Sequence, residues 1–260
     1  MTSLVELSKI VKRFNKGEVS ERLVFDHFDF SIHKGEFISV VGSNGSGKTT
    51  LLNLICGSIP VDGGTITLGG KEITHQSEHK RAALIGRVFQ DPTKGTCPSM
   101  TILENMMLAD RKGKGFGLTR GVTAGQKEFF CEQLSLLHIG LEDRLSLPVG
   151  ALSGGQRQAL SLLLSTMTPI DLLVLDEHTA ALDPKSADNV MELTDRIIKE
   201  KSVTAIMVTH NLRFAVDYGT RLVMMDRGNT VIDSFEKNKQ DYTVDSLLTI
   251  FNEISIECGN

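Results

Sequence analysis

Residues Gly42 to Thr49 read GSNGSGKT and have the types and spacing of a loop that binds phosphate. Glycines permit positive φ angles and bring main-chain N–H groups close to phosphate oxygens. The lysine can reach the β- and γ-phosphates, and the hydroxyl of Thr49 can bind Mg²⁺. We call this segment the phosphate loop. The predicted binding residues are Gly42, Ser43, Asn44, Gly45, Ser46, Gly47, Lys48, Thr49 and Thr50.

A second candidate is the apolar run Leu172–Leu175, which ends at Asp176 and Glu177. In open α/β sheets ligands bind at the carboxyl ends of strands. Asp176 could therefore hold Mg²⁺ through water, and Glu177 could act as general base for a hydrolytic water. Alone, such a run often only marks a strand leaving the core. The phosphate loop in the same chain favours the functional interpretation.

The segment Leu152–Gln156, LSGGQ, predicts a second anion site. Ser153 can cap a helix that starts at about Gln156, and Gly154 and Gly155 expose main-chain N–H groups there. One domain has no evident use for two γ-phosphate sites. Two copies arranged head to tail do, because each can complete the nucleotide site of the other.

Short apolar runs predict the strands that position these residues. Phe37–Val41 precedes the phosphate loop, and the loop opens a helix from Lys48 to Ile55. Further strands are predicted at Leu172–Leu175, Val203–Val208 and Arg221–Met225, with a helix at Ser186–Lys201. This alternation predicts an α/β fold with a parallel sheet covered on both faces.

The middle of the chain reads differently, with helices predicted around Ile102–Ala109 and Thr123–His138. Between them, residues 110–121 contain four basic side chains among glycines. This basic loop is interpreted either as a solvated surface loop or as a contact with a partner or with lipid headgroups.

Composition limits the classes of function. The 260 residues carry a net charge of −4, which gives no electrostatic case for nucleic-acid binding. No apolar stretch approaches the ~20 residues needed to span a bilayer, and the N-terminus does not read as a signal peptide. The cysteines lack metal-ligand spacing, so a cytoplasmic location is expected. They are Cys56, Cys97, Cys131 and Cys258.

Four further segments complete a pattern that resembles the ATP-binding-cassette (ABC) family over nearly the whole chain. Gln90 is similar to that family's glutamine loop, and His210 to its switch histidine. Ala181–Asp183 looks like the loop after the base, and Phe14 occupies the position where an aromatic ring stacks on adenine. Singly, Gln90, His210 and Phe14 each have a structural explanation. The joint order of the segments favours the functional interpretation for Gln90 and His210, and both interpretations stay open for Phe14, which is a phenylalanine where tyrosine is common.

The resemblance implies a RecA-like P-loop NTPase core with a mostly parallel sheet, an N-terminal antiparallel β portion and an inserted α-helical subdomain. Residues 1–90 and 170–260 would form the core and residues 91–169 the helical signature subdomain. ATP and Mg²⁺ are the implied cofactors. Glu177, His210 and Gln90 would be catalytic, with Thr49, Gln90 and Asp176 as metal ligands. Across the dimer, nucleotide would contact Ser153, Gly154, Gly155, Gln156 and Asp183.

One departure from the resembled family follows the base. Glu177 is followed by His178-Thr179-Ala180-Ala181, where many relatives have proline and serine. We interpret His178 as a loop variant that leaves the base and the metal ligand intact.

The implied function is ATP hydrolysis that powers solute transport through a membrane permease, with import of an amino acid into a bacterium as the favoured case. Residues Val149–Leu160 and Asp176–Lys185 resemble those of a subgroup that accompanies lipoprotein-dependent importers for amino acids, including aromatic ones. Expected partners are a second cassette, the permease, contacted through Asp91–Met100, and a separate solute-binding protein. The chain would lie on the inner face of the membrane.

A soluble ABC ATPase, such as one for iron–sulfur assembly, is the alternative. A phosphate-loop kinase or GTPase would leave Ser153–Gln156 unexplained.

Overall fold

The computed structural model of the protein describes residues 2–112, 123–234 and 239–257. The predicted basic loop lies outside the described residues except for positions 110–112. The strands are β1 Ser3–Phe14, β2 Arg22–His33, β3 Phe37–Gly42, β4 Gly63–Leu68, β5 Lys71–Glu72, β6 Ile85–Val88, β7 Leu172–Asp176, β8 Thr204–Val208, β9 Arg221–Asp226 and β10 Asn229–Ser234. The helices are α1 Lys48–Cys56, α2 Glu78–Arg81, α3 Ile102–Asp110, α4 Ala124–Ser135, α5 Gly154–Thr166, α6 Pro184–Lys201, α7 Leu212–Asp217 and α8 Val244–Glu257.

The chain divides into two compact units, one formed by Met1–Arg81 with Ser202–Asn260 and the other by Ala82–Lys201. In the first unit, β2, β1, β4 and β5 form an antiparallel sheet in that order. Strand β3 pairs in parallel with β8 and with β9, and β10 pairs antiparallel with β9. Every residue of β3 is buried, as its mostly apolar sequence predicts, and the hydroxyl of its one polar residue, Ser39, donates to the Tyr218 carbonyl at 2.8 Å.

Helix α1 begins directly at the phosphate loop and ends at Gly57, whose φ of 78° and N–H contacts to Asn53 and Leu54 carbonyls close the helix. Its C-terminal end also receives the buried guanidinium of Arg81. Arg81 donates to the carbonyl oxygens of Leu54 at 2.7 Å, Ile55 at 2.9 Å, Thr74 at 2.9 Å and Gln76 at 3.1 Å. One side chain thereby joins the end of α1 to the segment that precedes α2.

In the second unit β6 and β7 pair in parallel, with Ile85 opposite Leu172 and Val88 opposite Leu175. Helices α3, α4 and α5 each begin with a capping box, in which the N-cap side chain and the third helical residue bond each other's main-chain N–H. The N-caps are Thr101, Thr123 and Ser153. Gln156 is the third residue of the helix and Ser153 is its N-cap, so α5 begins at Gly154, two residues before the predicted start.

Within the described ranges, none of the helices combines the length and apolar character required to cross a membrane. The predicted division at residues 90 and 170 stays a prediction.

Candidate functional site

The phosphate loop is stabilised largely by its own main chain. The Lys48 ammonium is buried, at 4% exposure, and donates to the carbonyl oxygens of Gly42 at 2.7 Å and Ser43 at 2.8 Å. The Ser46 N–H donates to the Ser43 carbonyl at 3.2 Å. Helix α1 has no side-chain cap at Gly47 and no acidic residue in its first turn. Its positive N-terminal end is therefore available to an anion.

Two glycines of the phosphate loop are required by close contacts. A Cβ atom at Gly42 would lie 2.2 Å from the carbonyl oxygen of Met225 and 2.8 Å from Ser46 Oγ. At Gly47, where φ is 107°, a Cβ atom would meet the ring of Phe25 at 3.0 Å. The loop thus packs directly against main chain and core, and larger residues cannot replace these glycines without displacing it.

Three further contacts tie the phosphate loop to its own unit. Ser43 Oγ donates to the Asp226 carboxylate at 2.8 Å, and the Gly228 N–H donates to the Ser46 carbonyl at 2.9 Å. The guanidinium of Arg22, at the start of β2, donates to the Gly45 carbonyl at 2.7 Å. Sequence reasoning missed these supports, since no local pattern marks them.

His210 lies beside the phosphate loop. A cavity of about 310 Å³ is lined by Gly42, Ser43 and Asn44 together with Thr209 and His210. Helix α8 contributes Leu248 and Phe251 to the same cavity. The structure therefore brings the predicted switch histidine to the phosphate loop.

Phe14, the predicted adenine-stacking residue, ends β1 and is 37% exposed. The Lys12 ammonium lies 5.2 Å from the centre of its ring and donates to the Pro60 carbonyl at 2.8 Å. Lys12 itself is only 6% exposed. The attraction between the Lys12 ammonium and the Phe14 ring stabilises the position of that ring.

In the second unit Asp176 ends β7, as predicted, and its Oδ2 accepts from Arg87 Nη2 at 2.8 Å. The guanidinium of Arg87 also lies 4.6 Å from the centre of the Phe89 ring. Gln90 is exposed and follows Phe89 directly. The fully buried Gln158 of α5 donates to the Phe89 carbonyl at 3.0 Å. Arg87 and Gln158 were not singled out from the sequence, although both act beside predicted site residues.

Glu177 adopts a φ of 48°, a left-handed conformation that residues other than glycine rarely take. It opens a turn in which the Ala180 N–H donates to the Glu177 carbonyl at 2.9 Å. We call residues Glu177–Ala180 the base turn. His178 within it is 2% exposed, and its Nε2 lies 3.1 Å from Thr194 Oγ1 on α6. Burial lowers the pKa of His178 to about 4, so the imidazole is neutral at physiological pH.

The signature residues form the first turn of α5. Ser153 Oγ accepts from the Gln156 N–H at 3.3 Å, and Gln156 Oε1 accepts from the Ser153 N–H at 3.1 Å. A Cβ atom at Gly155 would meet Ser186 at 3.2 Å, so this glycine lets α5 approach the start of α6. The same residues border a cavity of about 670 Å³ between α5, α6 and residues 137–139.

Asp183 precedes α6, and its Oδ1 accepts from the Ser186 N–H at 3.1 Å. Hydrogen bonds from Ser186 hold the pKa of the Asp183 carboxyl below its usual range. Asp183 is therefore an exposed anion next to the signature residues.

The donor chemistry fits the predicted cofactors. The phosphate loop presents a cation, a helix N-terminus and the exposed Thr49 hydroxyl, all suited to a polyphosphate. Within the ranges that the structure covers, no cluster of three or more His, Cys, Asp and Glu side chains could hold a metal by itself. Mg²⁺ usually binds through one or two protein oxygens together with substrate phosphates. The hydroxyl of Thr49 in the first unit and the carboxylate of Asp176 in the second unit are each oxygen donors of a suitable kind.

Comparison with known proteins agrees with this site. The sequence profile of the ABC transporter family matches residues 25–180. The chain is 44% identical over 250 residues to the tyrosine transport ATP-binding protein of Clostridioides difficile (strain R20291), covering 95% of this chain and 98% of the relative. It is 33% identical to a lipoprotein-releasing system ATP-binding protein, LolD 1, of Caulobacter vibrioides, covering 87% and 94%.

Solved structures show the same fold. A dimeric ATP-binding cassette in a post-hydrolysis state with ADP and Pi has a TM-score of 0.75 and 25% identity, covering 89% of this chain and 98% of that one. The ADP conformation of another ABC transporter cassette has a TM-score of 0.79, 24% identity and full coverage of both chains.

The chain belongs to the ABC transporter family, as one of its ATP-hydrolysing cassettes. The predicted RecA-like fold class and the ATPase activity are confirmed. Both relatives bear names connected with transport, and the comparisons give no support to the soluble alternative.

Proposed function

We propose that this chain is the motor subunit of a bacterial importer for an amino acid, with an aromatic amino acid as the favoured substrate. The observation that carries the substrate class is its 44% identity, over 95% of the chain, to a tyrosine transport ATP-binding protein. We assign the chain to the cytoplasmic face of the membrane, where ATP is available.

Within the proposed cycle, each predicted residue has one task. Lys48 and the N-terminus of α1 bind the β- and γ-phosphates, Phe14 stacks on adenine, and His210 contacts the γ-phosphate. Thr49, Asp176 and Gln90 would hold Mg²⁺, which would supply positive charge against the phosphates. Glu177 accepts a proton from the water that attacks the γ-phosphorus, and ADP leaves as the bond to its β-phosphate oxygen breaks.

The proposed dimer is head to tail, so that Ser153, Gly155 and Asp183 of one copy complete the nucleotide site of the other. The capping box supports this role, because it fixes the start of α5 so that Gly154 and Gly155 lie in its first turn, where main-chain N–H groups have no acceptor within the helix. Contacts across the dimer would form with ATP and weaken after hydrolysis, which gives the two states that transport requires.

The proposed contact with the permease is the segment Asp91–Met100, which follows Gln90. Asn105 of α3, buried to 3% exposure, holds this segment by accepting from the Cys97 N–H at 2.7 Å and donating to the Cys97 carbonyl at 3.1 Å. Cys97 itself is exposed. A rigid, exposed segment beside Gln90 can transmit changes at the nucleotide to a partner. A separate solute-binding protein would deliver the substrate from the outer face.

The ATPase and dimer roles are tested with the purified chain and its Glu177→Gln variant in Mg-ATP, by ATP hydrolysis and molecular mass. We expect hydrolysis to fall by about 100-fold or more, the usual contribution of a general base, while the variant binds ATP and dimerises. A variant that binds ATP yet stays monomeric at high concentration would count against the signature role. A wild-type chain that binds no ATP would overturn the proposal.

The substrate is tested in cells in which Glu177→Gln replaces the wild-type chain. We expect uptake of radiolabelled tyrosine, phenylalanine or tryptophan to be lost and uptake of lysine to be retained. Normal uptake of all three aromatic amino acids would refute the substrate assignment while leaving the ATPase role standing.

A further inference from the structure

His178 is a buried titratable residue to which the proposed cycle gives no role. It follows Glu177 directly and is 2% exposed, so it contacts neither bulk water nor nucleotide in solution. Its Nε2 lies 3.1 Å from the hydroxyl of Thr194, a residue of α6 that is fully buried. A polar side chain buried this deeply is expected to be hydrogen-bonded.

The direction of this bond follows from the single proton of the threonine hydroxyl. Thr194 Oγ1 donates that proton to the Val190 carbonyl at 2.7 Å. Its oxygen can then only accept from His178, so Nε2 of the imidazole carries a proton and is the donor. A chain of two hydrogen bonds thus runs from the base turn to the main chain of α6.

These two hydrogen bonds begin next to Glu177, a residue with an unfavourable backbone conformation. Glu177 holds a φ of 48°, and conformations of this kind persist only when surrounding structure determines them. The hydrogen bond from His178 is a buried polar contact adjacent to Glu177 in the base turn. Helix α6, to which it leads, begins after Asp183 and contacts Gly155 of the signature through Ser186.

We propose that His178 is a positioning residue for the catalytic base: its hydrogen bond to Thr194 fixes the base turn against α6 and thereby sets the Glu177 carboxylate. The inference rests on the proposed function, in which Glu177 is the base. Since α6 also contacts the signature residues, the same bond links the base to the segment through which the two cassettes would meet.

The first test is Thr194→Val in the full chain, which keeps the side-chain shape and removes the hydroxyl. We expect kcat for ATP to fall about ten-fold, because a misplaced base loses much of its contribution, and KM to change by less than about two-fold. Binding of a fluorescent ATP analogue without turnover should be unchanged.

A matched control is Thr166→Val in α5. Thr166 is also buried, at 3% exposure, and donates to the carbonyl four residues earlier, Leu162, at 3.0 Å. The bonds of its hydroxyl stay within α5. We expect the substitution to lower the melting temperature about as much as Thr194→Val and to leave kcat within about two-fold of wild type.

The second test compares His178→Gln with His178→Leu, both assayed well below their melting temperatures. The glutamine amide can place an N–H group where Nε2–H lies, and leucine cannot. We expect His178→Gln to retain kcat within about three-fold, and His178→Leu to lose about ten-fold or more.

Wild-type kcat in both Thr194→Val and His178→Leu would overturn the proposal, as would a loss confined to KM or a loss that Thr166→Val reproduces. Glu177→Gln in the same assay distinguishes the assignment of Glu177 as the base from the positioning role of His178. Full activity of Glu177→Gln would refute the base assignment itself. An inactive Glu177→Gln beside fully active Thr194→Val and His178→Leu would refute only the positioning role.

Discussion

The phosphate loop and the base turn are both sharp turns after a buried strand, yet they are stabilised differently. In the phosphate loop, Lys48 bonds carbonyl oxygens five and six residues earlier, and glycines pack against main chain. In the base turn, His178 bonds a threonine sixteen residues later on another helix. The conformation of the phosphate loop is therefore specified mainly by residues of its own motif. The base turn also depends on Thr194, so a substitution outside the turn can alter it.

The largest effect is expected from Gly42→Ala, which disrupts the phosphate loop at its tightest contact. Gly42→Ala places a Cβ atom 2.2 Å from the Met225 carbonyl oxygen, so main chain must move. We expect a loss of about 3 kcal/mol in the free energy of unfolding, together with loss of ATP binding, measured by urea denaturation and by a fluorescent nucleotide.

Gly69→Ala is the control for that measurement. Gly69 has a φ of 57°, but a Cβ atom added there would meet open space within 4 Å, so only backbone strain remains, at about 1 kcal/mol. Equal losses from the two substitutions would show that the contact with Met225 does not shape the phosphate loop.

The second prediction tests the base turn through pH. Burial lowers the pKa of His178 to about 4. Between about pH 6.5 and pH 4, the unfolded chain therefore binds a proton at His178 and the folded chain does not. Stability is therefore lost as pH falls from about 6.5 towards 4, by about 2 kcal/mol at pH 5 relative to pH 7. Urea denaturation at pH 7, 6 and 5 measures it.

His178→Gln cannot titrate, so its loss of stability between pH 7 and pH 5 should be smaller than that of wild type by about 2 kcal/mol. Identical pH dependence in wild type and His178→Gln would contradict a buried, neutral imidazole.

The smallest effect is expected at the exposed support of the phosphate loop. Arg22→Ala removes the hydrogen bond to the Gly45 carbonyl, which lies at the surface and competes with water. We expect the free energy of unfolding to fall by less than about 1 kcal/mol and the affinity for ATP to fall by less than about three-fold. Lys34→Ala, an exposed cation of the same unit, is the charge control. A ten-fold loss of affinity specific to Arg22→Ala would mean that this arginine, and not main chain alone, shapes the loop.

The same contrast explains what could be predicted from the sequence. The start of α1 at Lys48 and the end of β7 at Asp176 follow from glycine chemistry and an unbroken apolar run, and the structure has both. In the helix predicted at Ser186–Lys201, apolar residues recur at helical spacing at Val190, Leu193 and Ile197, and all three are buried on α6. Periodicity does not reveal that Thr194, on the same face, is fully buried and bonded to His178. The histidine therefore read as a loop variant.

Arg87 and Gln158 escaped detection for a related reason. Each bonds a residue far away in the sequence, Arg87 to Asp176 and Gln158 to the Phe89 carbonyl. A polar residue in a strand or helix reads as an ordinary surface residue until the fold shows what it faces. Short-range chemistry was accessible from the sequence, and long-range polar pairing was not.

The buried guanidinium of Arg81 has a consequence for how this sequence can diverge. Its four partners are main-chain carbonyl oxygens, which every amino acid supplies. Positions 54, 55, 74 and 76 can therefore change identity during evolution without losing the junction, provided that their own packing is kept. Position 81 cannot, since lysine lacks the planar set of donors that reaches several acceptors at once. Selection on this junction should fall almost entirely on one codon.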